Sequence, residues 1–184
     1  MLQDRVDSLE QHSHRNNVRI SGIPESTGAA ENTDAVVKKV GEAIGVAVTD
    51  EMIDRSRRVG KPGKMGRDIL VKFTSYRRKY LIMKARSNLK NKDAALLGVT
   101  SAGATRQPVS AAGAAATPVP SPAGRVYVND DLTRETSGVA ARAGRLKRDQ
   151  KIKDTWLRNG EISVKKDDDS TIKVSTNRQL DVFD

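Results

Sequence analysis

Residues 94–124 constrain what the rest of the chain can become. The stretch is built of Ala, Gly, Ser, Thr and Pro, with almost no charge and no hydrophobic period. It ends in Pro118-Val119-Pro120-Ser121-Pro122. Such a segment cannot bury enough apolar surface to offset the entropy of ordering it, so 93–124 is expected to be a flexible linker. The folded parts of this 184-residue chain must then come from the flanking segments, enough for one ordinary domain or two small ones.

Hydrophobic spacing divides those flanks. Leu2, Val6 and Leu9 step by four and three, the seam of a coiled coil, over about one and a half heptads. From Asn17 the period changes to two. Val18 and Ile20 alternate with Arg19 and Ser21, and Gly22 and Pro24 end this strand. Asn32-Thr33-Asp34 opens a helix through Val36, Val37, Val40 and Ile44, which Gly45 stops. Met52–Gly60 reads either as a strand or as a helix running into one. Lys61–Gly66 is a basic turn, and Asp68–Phe73 a strand with Ile69, Val71 and Phe73 on one side. Thr74 or Ser75 caps a helix from Tyr76 to about Arg86, with Tyr80, Leu81, Met83 and Ala85 as its apolar face. Beyond the linker come a strand over Arg125–Asn129 and a helix from Thr133 to about Gln150. A meander follows, turning at Asn159-Gly160. A last short helix is expected near Arg178–Phe183. Trp156 is expected in the core. Asp130 and Asp131 are expected to set the turn and cap before the second-domain helix, and Asp167-Asp168-Asp169 to be a hairpin loop rather than a metal site.

Composition removes whole classes of chemistry. Without cysteine there is no disulfide, thiolate zinc site or cysteine nucleophile. His12 and His14, the two histidines, lie in a polar stretch, so neither a Ser-His-Asp triad nor a histidine-bound metal is expected. No phosphate-cradling glycine loop is present. A non-enzymatic protein without cofactor is therefore expected. With no membrane-length apolar run and no signal-like segment, it is expected in the cytoplasm or nucleus. The net charge is +10 and is unevenly spread: residues 15–92 hold 18 bases against 8 acids, residues 125–184 hold 13 against 11. A basic domain beside a near-neutral one points to a polyanion met mainly by the first.

The order strand, helix, strand, strand, helix, loop, strand resembles an RNA-recognition motif, a four-stranded sheet backed by two helices. Val18-Arg19-Ile20-Ser21-Gly22-Ile23 fits its first-strand signature, except that Arg19 stands where a stacking aromatic is usual. In the third strand, Val71-Lys72-Phe73 fits, while Asp68 and Leu70 replace the stacking residues. Base stacking then gives way to phosphate contacts with weak sequence preference, and arginine can still lay its guanidinium on a base.

Arg15–Glu25, Asp54–Lys61 and Ile69–Arg77 resemble, in order, the central domain of the first-open-reading-frame proteins of LINE-type retrotransposons. Val126–Thr133 and Lys151–Ile162 are similar to a C-terminal domain shared with baculovirus few-polyhedra proteins. The resemblance implies an α+β chain. A coiled-coil end covers 1–14, a recognition-motif-like domain covers 15–92 with its fourth strand near 125–129, and a small α+β domain covers 130–184. It also implies a packaging and strand-exchange chaperone for single-stranded RNA or DNA, held in a ribonucleoprotein. Relatives trimerise through the coiled coil, so a homo-oligomer is a possible state.

The candidate nucleic-acid contacts are Arg19, Arg55, Arg57, Arg58, Lys61 and Lys72 on the first sheet and its turn, Arg77, Arg78 and Lys79 at a helix start, and Tyr127 on the fourth strand. Arg142, Arg145 and Arg148, recurring every three residues, form a second-domain stripe. The alternative is an adaptor similar to few-polyhedra proteins, whose C-terminal domain binds a protein while the basic surface is incidental.

Overall fold

Alternating burial along Val18-Arg19-Ile20 makes β1, Asn17–Ser21. The structure is a computed structural model describing residues 2–25, 31–61, 66–90, 92 and 125–183. The linker at 93–124 and most of the basic turn after Lys61 lie outside the described residues. The chain divides into two units, residues 17–129 and residues 1–16 with 130–184. The architecture is α+β.

In the first unit α2, Thr33–Ile44, begins where the Asn32 side chain accepts a 3.0 Å bond from the Ala35 N–H. It ends at Gly45, whose φ of 82° and N–H bond to Glu42 O at 3.0 Å form a left-handed cap. The ambiguous segment is a strand, β2, Ile53–Val59. It pairs antiparallel with β3, Asp68–Phe73, which pairs antiparallel with β1 on its other side. Ser75 caps α3, Tyr76–Ala85, and β4 is Tyr127–Asp130. The strand order is β2-β3-β1-β4. A βαββαβ chain with its first and third strands at the centre has the topology of the RNA-recognition motif. Val18, Ile20, Ile69, Val71 and Phe73 from the central strands form one core with Val36, Val37, Val40 and Ile44 of α2 and Ile82 of α3.

The apolar face expected of α3 is corrected. Lys79 and Ile82 are buried, Met83 and Ala85 pack partly against the core, and Tyr80 and Leu81 are exposed. Residues 79, 82 and 83 are spaced by three and four and so share one face. A lysine serves there because its four-carbon stem is itself apolar.

The second unit contains α1, Leu2–Ser13, and α4, Arg134–Arg148, followed by β5, Asp154–Arg158, β6, Glu161–Lys165, and β7, Thr171–Val174. The meander is antiparallel in the order β5-β6-β7, and a 3-10 segment, Asn177–Phe183, follows. Val139, Ala143 and Leu146 of α4 meet Ile162, Val164, Val174 and Leu180 in its core. Asn159 and Gly160 both take positive φ, 56° and 78°, as a two-residue hairpin turn requires. The α4 cap is Thr133, which accepts from the Thr136 N–H at 3.2 Å; Asp130 and Asp131, expected to cap, are buried instead. Asp131 lies 3.2 Å from His14 Nδ1. Gln11 of α1 ties the same corner, donating to Asp131 O at 3.1 Å and accepting from the Thr133 N–H at 2.9 Å. Val6 and Leu9, two of the expected seam residues, are exposed on α1.

Candidate nucleic-acid interface

Pairing register sorts the basic residues of the first sheet. Val71 and Ile69 face the core, so their neighbours Leu70 and Lys72 face away from it. Leu70 pairs with Arg57 of β2 and with Arg19 of β1, and Lys72 pairs with Arg55 and Asn17. Directly opposed side chains in such a ladder stand about 5 Å apart. Arg55, Lys72, Arg57, Leu70 and Arg19 therefore form one contiguous group on the sheet face opposite the helices. Tyr127 joins it, because β4 borders β1 and alternates buried Val128 with a Tyr127 that is 53% exposed.

This face is weakly neutralised. Arg19 reaches Asp68 at 3.5 Å and Lys72 reaches Asp54 at 3.4 Å, long and partly solvated pairs worth little each. Arg55 and Arg57 are exposed and have no partner among the described residues.

Arg58, expected beside Arg57 as a contact, is corrected. Its side chain is 6% exposed. Nε and Nη2 fork onto Glu31 at 2.8 and 2.7 Å. Nη1 donates to Ile23 O at 2.8 Å and Arg67 O at 2.6 Å, and Nη2 also donates to Pro24 O at 2.8 Å. Those are five bonds for the five donors a guanidinium owns, so nothing is left for a phosphate. Period-two geometry explains it: Arg58 pairs with core-facing Ile69, and so turns to the inner side at the end of the sheet.

Other basic candidates divide similarly. Lys79 is corrected, being 2% exposed. Arg77 is exposed, whereas Arg78 bonds to Glu51 O and Thr74 Oγ1 and so ties α3 to the 3-10 turn Asp50–Met52 just before β2. Lys61 is exposed at the end of the described part of its turn. In the second unit Arg145 and Arg148 are exposed, but Arg142 turns inward to Asn177 O at 2.7 Å and Asp181 at 2.7 Å. Arg142 is thus a clamp on the C-terminal segment rather than part of an exposed stripe.

Two features lie beyond the sequence expectations. Trp156 is 42% exposed and outside the core, because its neighbours Thr155 and Leu157 take the core-facing register opposite Val164 and Ile162. The alternation of β5 by itself leaves open which set of side chains is buried, and pairing with Val164 and Ile162 decides it. Glu25 and Arg67 form the second feature, joined at 2.8 Å by Arg67 Nη2 and at 2.8 Å by the Arg67 N–H. The side-chain and backbone bonds from Arg67 lower the Glu25 pKa to about 2.

Among the described residues no group of three His, Asp or Glu could hold a metal ion, and no helix is long and apolar enough to cross a membrane. The Asp167-Asp168-Asp169 segment joins β6 to β7. Asp168 accepts from the Ser170 N–H at 2.9 Å, and Asp169 pairs with Lys153 and Lys165 at 2.6 Å each. Comparison with known proteins gives no matching family model and no matching curated relative.

Proposed function

We propose that the chain is a non-enzymatic single-stranded nucleic-acid-binding protein of retrotransposon type, a packaging and chaperone protein whose main contact is the open face of the first sheet. The observation that carries this reading is the group Arg19, Arg55, Arg57 and Lys72 around Leu70, with Tyr127 at its edge. Cations on an open, antiparallel sheet face suit a flexible phosphate backbone, and one exposed ring can take a base of any identity. Phosphates provide most of the affinity and sequence preference is weak. RNA and DNA strands share this chemistry. The ordered resemblance to LINE first-reading-frame proteins supports the same function, and with it a cytoplasmic or nuclear ribonucleoprotein.

The test is binding of the purified chain to a labelled single-stranded oligonucleotide across a salt series, beside a duplex of equal length. Tight, salt-steep binding favouring the single strand is the expected result. Equal, weak binding to both would sink the proposal. The second reading, a protein-assembly adaptor, draws on the exposed Val6 and Leu9 of α1, an apolar pair available to a partner helix. Residues 1–16 and 130–184 would then carry the binding, and the duplex and single strand would be bound alike.

A further inference from the structure

We infer that the outer face of the β5-β6-β7 sheet is a second single-strand-binding surface, on which Trp156 stacks against a base and Arg158 takes a neighbouring phosphate. The inference rests on the proposal that the chain binds single strands, and adds a surface on the other unit.

Register defines the face. Thr155 and Leu157 pair with core-facing Val164 and Ile162, so Asp154, Trp156 and Arg158 project from the opposite side. Trp156 pairs with Ser163, which pairs in turn with Lys173, while Asp154 pairs with Lys165 and Arg158 with Glu161. Among the described strand residues that share this face by register, Asp154, Arg158, Glu161, Ser163, Lys165, Thr171 and Lys173, none is aliphatic. A protein-docking hot spot needs an apolar surround that excludes water, and the strand residues flanking Trp156 on this face are polar or charged. A base needs only one π-face with a cation nearby, and that is what stands here.

Charge agrees. The two acids of the face are engaged, Asp154 with Lys147 at 2.5 Å and Glu161 with Lys173 at 2.8 Å. The Lys147 bond holds the Asp154 carboxyl below its ordinary pKa, so it stays ionised and matched. Arg158 is exposed, without a partner among the described residues, and two positions from Trp156 on the same strand. That strand is an edge of its sheet, and the Trp156 side chain is 42% exposed.

Trp156 is the only tryptophan of the chain, so its fluorescence reports this surface alone. The full chain is titrated with oligothymidylate, and separately with oligouridylate, while anisotropy of a labelled strand follows total binding. Indole emission should be quenched in step with the anisotropy, and salt should reverse both. Trp156→Ala should weaken binding by about 5- to 100-fold, and Trp156→Phe should retain most of it. Both variants should keep the wild-type melting temperature, since the ring lies outside the core. Unchanged emission while anisotropy rises, or wild-type affinity in Trp156→Ala, overturns the inference and leaves the first-sheet proposal standing. Absence of any anisotropy change refutes both.

Discussion

Arg57 and Arg58 leave β2 on opposite faces of the sheet, Arg57 paired with Leu70 and Arg58 with Ile69. One residue of offset separates a solvated cation from one whose donors are all used by Glu31 and three backbone carbonyls. Arg58→Ala should destabilise the residue 17–129 unit by about 3–5 kcal/mol, because it removes a buried, forked charge pair with Glu31 and the donor to three backbone carbonyls. Arg58→Lys should rescue little, since a single ammonium cannot serve a fork and three carbonyls. Chemical denaturation of both variants beside Arg57→Ala, which should melt like wild type, checks this contrast.

On the open face the expected effect is on binding. Each of Arg19→Ala, Arg55→Ala, Arg57→Ala and Lys72→Ala should reduce the slope of log affinity against log salt by about 0.7, the value for one phosphate contact on a single strand. Tyr127→Ala should weaken binding without changing that slope, because stacking releases no counterion. Slopes identical to wild type in all four cation variants would move the contact surface elsewhere.

Gly22 follows β1 with a φ of 85°, and a Cβ built there would run into the carbonyl of Arg125. Gly22→Ala should therefore cost at least about 1 kcal/mol from backbone conformation alone, and more from the collision. Gly138 of α4 is the opposite case, since the nearest atom to an added Cβ is Asn177 Nδ2 at 3.9 Å. Gly138→Ala should stabilise its unit by about 1 kcal/mol. Thermal unfolding of the two variants should shift in opposite directions.

The Glu25–Arg67 pair gives an acid-side signature. The Glu25 pKa falls from an ordinary 4.5 to about 2 in the folded chain. Depressed in the folded state, it contributes stability that is complete above about pH 4.5 and is lost as the pH falls toward 2. Wild type should melt above Glu25→Gln at neutral pH, and the two should converge as the pH approaches 2. A difference that persists unchanged at pH 2 would show that the pair's charge is not its source.

Local chemistry determined most elements on its own. Asn32 before Val36 and Val37, Gly45 after Ile44, and Asn159-Gly160 between two alternating runs specify caps and turns through backbone geometry that only a few residue types satisfy. The placement of Arg19 and Lys72 away from the core follows from the same alternation, because their neighbours Val18, Ile20, Val71 and Phe73 leave one face to be buried. The choice of inward face on α3 was not legible. Leu81 is as apolar as Ile82 and Met83, Tyr80 adds a large ring beside them, and a basic helix has no clear stripe. Only docking on the sheet selects 79, 82 and 83.

The sequence by itself determined the succession of strands and helices apart from the segment at 52–60, the absence of cysteine, and the concentration of charge in residues 15–92, because these depend on residues close in the chain. Tertiary structure alone decided that Arg58 is a buried clasp and Arg57 a free cation, that Arg142 holds the C-terminal segment, and that Trp156 faces water. Each of those depends on a partner distant in sequence: Glu31 and Ile23 for Arg58, Asp181 for Arg142, and the strand register with Ile162 and Val164 for Trp156. Two arginines in succession are chemically identical, and they differ only in what the folded chain brings to each.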